Sequence, residues 1–220
     1  MIPLLLVVST LCALWYGAVF VHRRDSLTRS VVKTGAVGAL TGVSLWAGLP
    51  VLLSLALFLG AWGDAALSRR GGRAFLLGLS AFLLGHLAYV PLLLETGAGV
   101  AVLWQAPWRA GLLALMCLLA GALLRCGLTD LGRMRGPVWL YSGVILLMGG
   151  AALTLPVIWP ATLGLIGALA FIASDALLGL ELFGPPRGPR VTWWRATTLW
   201  ALYWGGQLCL LLSFLLPPPA

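Results

Sequence analysis

The sequence predicts an all-α integral membrane protein, a bundle of about eight transmembrane helices forming one polytopic domain over residues 1–220. Three observations carry that prediction. The chain is 61% hydrophobic and only 9% charged, where a soluble domain averages roughly 25% charged residues. Its mean hydropathy is +1.02, and apolar stretches cover nearly all of it, leaving no polar segment long enough for a second domain. Its basic residues, finally, fall in alternate gaps between those stretches.

A membrane span needs about 20 apolar residues at 1.5 Å each. Charges, prolines and glycines break the chain into eight segments: 2–21, 32–48, 50–67, 74–93, 107–124, 137–155, 157–181 and 192–215. The first lacks a basic leader and a small-x-small cleavage site, so it reads as a retained helix rather than a signal peptide. Segments two and three meet near Gly48-Leu49-Pro50, and six and seven near Pro156.

The loops supply the orientation. Arg23, Arg24 and Arg29 follow the first segment, Arg69, Arg70 and Arg73 the third, Arg125, Arg133 and Arg135 the fifth, and Arg187 and Arg190 the seventh. Loops two and six carry no basic residue, and loop four has only Arg109 at its edge. The positive-inside rule then puts the odd loops in the cytoplasm and both termini outside it. The expected location is a bacterial inner membrane. The net charge of +8 is thus topology, and no nucleic-acid partner is expected. The four cysteines, with no CxxC or CxxH spacing, read as small apolar packing residues. With only His22 and His86 in the chain, a zinc site of three histidines is excluded.

Against this background two acidic residues stand out. Asp64, in Gly63-Asp64-Ala65-Ala66-Leu67, and Asp175, in Ser174-Asp175-Ala176-Leu177-Leu178, sit inside apolar segments. A carboxylate costs about 2.5–3.5 kcal/mol at the centre of an inserted helix, so two of the chain's six acidic residues need a reason to be there. Segments three and seven run in the same direction, which puts both carboxylates in the cytoplasmic half of the bilayer. The paired contexts, four segments apart, suggest a parallel four-helix repeat. Asp25, Glu95 and Asp130 read as loop charges and Glu181 as an exposed helix-end residue.

Few other polar groups lie within the segments. His86 and Tyr89, three residues apart, share a helix face, as do Tyr203 and Gln207, four apart. Lys33 opens segment two, followed by Thr34, Thr41 and Ser44, with Gly38 and Gly42 allowing close helix approach. Taken singly, each has a plain structural role: Lys33 snorkelling to the surface, His86 bonded to a backbone carbonyl, the tyrosines packed with a bonded hydroxyl. Taken together they should converge on one cavity, because a bilayer offers them no water.

Lys33, Gly63-Asp64, Gly85-His86-x-x-Tyr89, Ser174-Asp175 and Tyr203-x3-Gln207, in this order from segment two to segment eight, resemble the YhhN family, which includes the mammalian transmembrane lysoplasmalogenases. Family members often carry Pro after the lysine, where this chain has Thr34. The resemblance implies hydrolysis of the vinyl ether bond of a lysophospholipid substrate, releasing a fatty aldehyde and a glycerophospho-ethanolamine or -choline. Protonation of the outer alkene carbon would give an oxocarbenium ion, to which water adds. That chemistry needs one protonated and one ionised group, roles that two buried carboxylates can divide, as glycosidase carboxylates do. No metal or cofactor is required. Asp64 and Asp175 are the expected acid–base pair. Tyr89, Ser174 and Tyr203 would orient the carboxylates, His86 would position water or a carboxylate, Gln207 would hold the ether oxygen or water, and Lys33 would meet the phosphate. The alternatives are a hydrolase of another ether or ester lysolipid, a proton-coupled lipid or solute transporter, and a non-catalytic scaffold. A scaffold would leave the buried carboxylates without a use.

Overall fold

The computed structural model describes residues 1–217 except 70, 129, 130 and 187. Arg70, Asp130 and Arg187, assigned to loops from the sequence, lie outside the described residues. Among the described residues there is no strand, and eight long helices follow the eight apolar segments. They are α1 (Ile2–Trp15), α2 (Leu27–Trp46), α3 (Val51–Leu67), α4 (Gly72–Thr96), α6 (Pro107–Ala122), α7 (Arg135–Ala152), α8 (Ala161–Phe183) and α9 (Pro189–Leu215), with a single-turn α5 (Val102–Gln105) before α6. Short π-helical turns extend α1 to Phe20 and α6 to Gly127.

Five helices are long and apolar enough to cross a membrane on length and composition: α1 and α6 with their π turns, α4, α8 and α9. Helix α3 is apolar but shorter, at 17 residues. Helices α2 and α7 fall outside that group. Helix α2 turns Ser30, Thr41 and Ser44 inward, and α7 opens on Arg135-Gly136-Pro137. The outer surface is apolar along most helices, as Val51, Leu55, Phe58 and Trp62 of α3 illustrate. A water-soluble protein does not expose so continuous an apolar surface; a lipid-facing one does. The chain reads as an integral membrane protein.

Two helix starts differ from the sequence expectation in ways that matter to the interior. Helix α2 begins at Leu27 rather than residue 32, because the Ser26 hydroxyl accepts the Arg29 N–H at 3.2 Å, a standard N-cap. Lys33 therefore lies more than a full turn inside the helix instead of at its mouth. Helix α8 begins at Ala161 rather than 157, after Pro156 and Pro160, neither of which can donate a helical hydrogen bond. Helix α4 runs on through Pro91 to Thr96.

Each helix is anchored to its neighbours by packing and by polar ties. Helices α8 and α9 pack backbone to backbone: a Cβ added to Gly167 would lie 2.7 Å from the Gly206 carbonyl oxygen. At the α3–α4 contact, a Cβ on Gly63 would lie 2.7 Å from the Phe82 ring. Gly38 and Gly42 do less than the sequence suggested: nothing approaches Gly38, and Gly42 meets only the Leu5 side chain. The Ser44 and Ser54 hydroxyls, 2.8 Å apart, tie α2 to α3, and the Trp200 indole N–H donates to the Ala13 carbonyl, tying α9 to α1. Arg109 is buried, its guanidinium donating to the carbonyls of Leu153 and Leu155. It satisfies acceptors that the C-terminal end of α7 leaves open, so its charge serves packing.

Candidate functional site

Asp64 and Asp175 occupy two halves of one buried polar cluster. Asp64 on α3 is fully buried; its Oδ1 lies 2.7 Å from the Lys33 ammonium on α2, and its Oδ2 accepts the Tyr203 hydroxyl of α9 at 2.8 Å. Asp175 on α8 accepts the Tyr141 hydroxyl of α7 at Oδ2, 2.7 Å, and the same oxygen lies 3.2 Å from His86 Nε2 on α4. Between the halves, the Tyr89 hydroxyl donates to Gln207 Oε1 at 2.6 Å, joining α4 to α9. Phe171 fills the centre. Its ring is 4.4 Å from that of His86 and 5.5 Å from that of Tyr203.

The hydrogen bonds fix much of the proton inventory. His86 Nδ1 lies 2.7 Å from the Phe82 carbonyl, which can only accept, so Nδ1 is assigned the hydrogen. Nε2 then faces Asp175 Oδ2 with either a lone pair or a second N–H. The contact is close enough for a proton to pass between the two groups, although Nε2 is not aligned in a hydrogen bond. Asp64 differs, receiving an ammonium on one oxygen and a phenol on the other.

Solvent space separates the two halves further. A cavity of about 480 Å³ lies among α4, α6, α7 and α8, walled by side chains such as Leu79, Phe82, Met116, Ile145 and Ile172. That volume is within the roughly 300–1,000 Å³ of small-molecule sites. Its few polar wall residues are Asp175, Tyr141 and Ser142. Asp64 and Lys33 do not line it: Phe82 stands in its wall, the Tyr203 ring is 5.8 Å behind Phe82, and Asp64 lies behind Tyr203. The expectation that all the polar groups open into one cavity is therefore corrected. The aromatic rings of α4, α8 and α9 pack between the halves, leaving one carboxylate at the wall and the other sealed.

A model of the YhhN family matches residues 28–214. The chain belongs to the YhhN family. Two curated relatives, the proteins named lysoplasmalogenase from Mycobacterium bovis and Mycobacterium tuberculosis, are each 35% identical over 114 residues, a match covering 50% of this chain and 41% of each relative. The matched region is thus less than half the length of either relative. No solved structure matches.

Most of the residues singled out in this YhhN chain meet, though not always in the expected way. Asp64, Lys33 and Tyr203 form one half, Asp175 and His86 the other, and Tyr89 and Gln207 bridge them. The Lys33 ammonium is held by Asp64 rather than presented to a phosphate at the rim, because the early start of α2 carries it inward. Ser174 is buried but donates to the Phe171 carbonyl of its own helix at 2.6 Å. It therefore bonds neither carboxylate. Gln207 keeps Nε2 buried without a hydrogen-bond partner among the described residues. Tyr141 was missed altogether. Its signal was present: it is one of only four tyrosines, and it lies near the start of an apolar segment, at the depth inferred for Asp175.

Proposed function

We propose that this chain is a membrane-embedded hydrolase that cleaves the vinyl ether bond of lysoplasmalogens, giving a fatty aldehyde and a glycerophospho-ethanolamine or -choline. One observation carries the reading: Asp175, beside His86 and Tyr141, is the carboxylate, among the described residues, in the wall of a largely apolar cavity. Such a cavity suits a single hydrocarbon tail, and the wall group suits an acid aimed at an alkene. The family membership and the name of the mycobacterial relatives support the same reaction class.

In this mechanism the Asp175–His86 pair gives its proton to the outer alkene carbon. The C=C π electrons form the new C–H bond, and the ether oxygen shares the resulting charge as an oxocarbenium ion. Water adds to the inner carbon and loses a proton to the Asp175–His86 pair, which is thereby restored. The hemiacetal then collapses: its hydroxyl gives up its proton as the aldehyde C=O forms, and the C–O bond to glycerol breaks as the glycerol oxygen takes up a proton in its place. Tyr141 holds Asp175 Oδ2 throughout, leaving Oδ1 toward the reacting carbon. Asp64 is the ionised member of the pair of aspartates: set against Lys33, it holds Tyr203, and with it the aromatic wall.

The parallel repeat expected from the sequence fits this division. Lys33 and Tyr141 each lie six residues after the start of their helices, at 27 and 135. His86 and Tyr203 each lie fourteen after theirs, at 72 and 189. Asp64 takes partners from α2 and α9, and Asp175 from α7 and α4. A four-helix duplication would relate the two sets, with one half carrying Lys and the other Tyr at the equivalent position. On the eight-span reading, with both termini outside the cytoplasm, the cavity lies toward the cytoplasmic side.

The test is incubation of the purified protein with a lysoplasmalogen, an intact plasmalogen and an ester lysolipid, with aldehyde and fatty acid measured separately. Aldehyde from the first alone is expected. Fatty acid from the ester lysolipid without aldehyde would make the protein an esterase, and uptake into liposomes without conversion would make it a carrier.

A further inference from the structure

A second, smaller hollow of about 380 Å³ lies between α8 and α9 at the end bearing the arginine-rich loops, lined by Leu177, Arg190, Val191, Trp194, Arg195 and Thr198. Leu177 also lines the large apolar cavity, so the two spaces share a wall residue one helical turn or less from Asp175. We propose that this hollow binds the phosphate headgroup of a single-chain phospholipid whose tail occupies the apolar cavity. The inference rests on the lipid-hydrolase reading above and adds the place where the headgroup is recognised.

The chemistry is that of an anion site with a place for a cation beside it. Arg190 and Arg195 line the same hollow, and among the described residues no carboxylate pairs with either. Arg195 is part-buried and anchored by a hydrogen bond from Nη1 to the Leu180 carbonyl at 3.1 Å. That bond uses one of five N–H donors, and a guanidinium matches phosphate geometry with the rest. Trp194 adds an aromatic face suited to an ethanolammonium or choline group, and the Thr198 hydroxyl a further donor.

The spacing fits as well. Leu180, where Arg195 is anchored, lies five residues beyond Asp175, about 7.5 Å along the helix axis. In a 1-alkenyl glycerophospholipid the outer alkene carbon is seven bonds from phosphorus, roughly 8 Å at the roughly 1.2 Å per bond of an extended chain. A phosphate on Arg195 therefore brings the alkene level with Asp175.

The experiment measures binding independently of cleavage. A fluorescent single-chain lipid on the detergent-solubilised protein is displaced by a saturated 1-alkyl lysophospholipid or by the matching 1-alkylglycerol, which lacks the phosphate. The native protein is expected to bind the lysophospholipid at least tenfold more tightly, and Arg190→Gln and Arg195→Gln each to remove most of that preference while leaving 1-alkylglycerol affinity unchanged. Arg195→Lys, which keeps the charge, should retain part of it and serves if Arg195→Gln fails to fold. Equal affinity of the native protein for the two lipids, or a preference that survives in Arg190→Gln and Arg195→Gln, would overturn the proposal. So would inorganic phosphate raising the melting temperature as much as the lysophospholipid, which would make this a free-anion site. Headgroup preference without aldehyde release would leave the headgroup site standing and remove the vinyl ether reading; aldehyde release without headgroup preference would do the opposite.

Discussion

Lys33 and Asp64 form an ion pair at 2.7 Å inside the bundle, linking α2 to α3, with the carboxylate fully buried. Each charge is tolerable only because of the other. Removing one partner of a buried pair typically costs about 3–5 kcal/mol, whereas replacing both with apolar groups of similar size is often neutral. Lys33→Met should therefore lower the melting temperature in detergent strongly, and Lys33→Met with Asp64→Leu should recover much of the loss. A single variant as stable as the native protein would mean that the pair does not form.

The Tyr141 hydroxyl is the contact that sequence reading did not supply. A hydrogen bond to a charged group is worth about 1.5–3 kcal/mol, so Tyr141→Phe should lower turnover roughly ten- to a hundredfold, with at most a small change in KM. An unchanged turnover would remove Tyr141 from the mechanism.

Tail recognition should follow the apolar cavity. Burying one methylene contributes about 0.8 kcal/mol, near fourfold in kcat/KM, so activity should climb with chain length until the cavity is filled. Ala120→Trp, on the α6 wall, should move that plateau to shorter chains. Kinetics across a series of tails reads this directly, and a length-independent kcat/KM would place the tail elsewhere.

The α8–α9 contact gives a test of the fold itself. A side chain at Gly167 would meet the Gly206 carbonyl and Leu210 nitrogen, both backbone atoms, which cannot move aside as a flexible side chain would. Gly167→Val should abolish recovery of folded protein, while Gly38→Val, where nothing approaches, should be recovered normally. Size-exclusion profiles after solubilisation distinguish the two.

Much of this was legible in the sequence, because the bilayer forces it. Hydrocarbon demands helices, so hydropathy located the eight long helices to within a few residues, and the cost of a buried carboxylate singled out Asp64 and Asp175. What was not legible is which groups pair. Lys33 looked like a rim residue until the Ser26 cap moved the helix start back by five residues. Ser174 stands next to Asp175 in sequence, yet a helix turns adjacent residues about 100° apart, and its hydroxyl closes on its own backbone. Tyr141 gave only a weak signal, since a tyrosine in an apolar helix is usually packing. The aromatic wall that seals Asp64 from the cavity depends on rings from three helices, and no local pattern encodes that.

The central claim is that Asp175, at the cavity wall, delivers the proton that cleaves the vinyl ether. Its most direct test is hydrolysis of a lysoplasmalogen in deuterated water by the native protein and by Asp175→Asn, with mass spectrometry of the aldehyde. The native protein should release aldehyde carrying one deuterium on the carbon next to the carbonyl. Asp175→Asn, still folded, should release it slower by the roughly 10²–10⁴-fold typical of a lost general acid. Full turnover by a folded Asp175→Asn protein, or aldehyde with no deuterium at that carbon, would contradict the account.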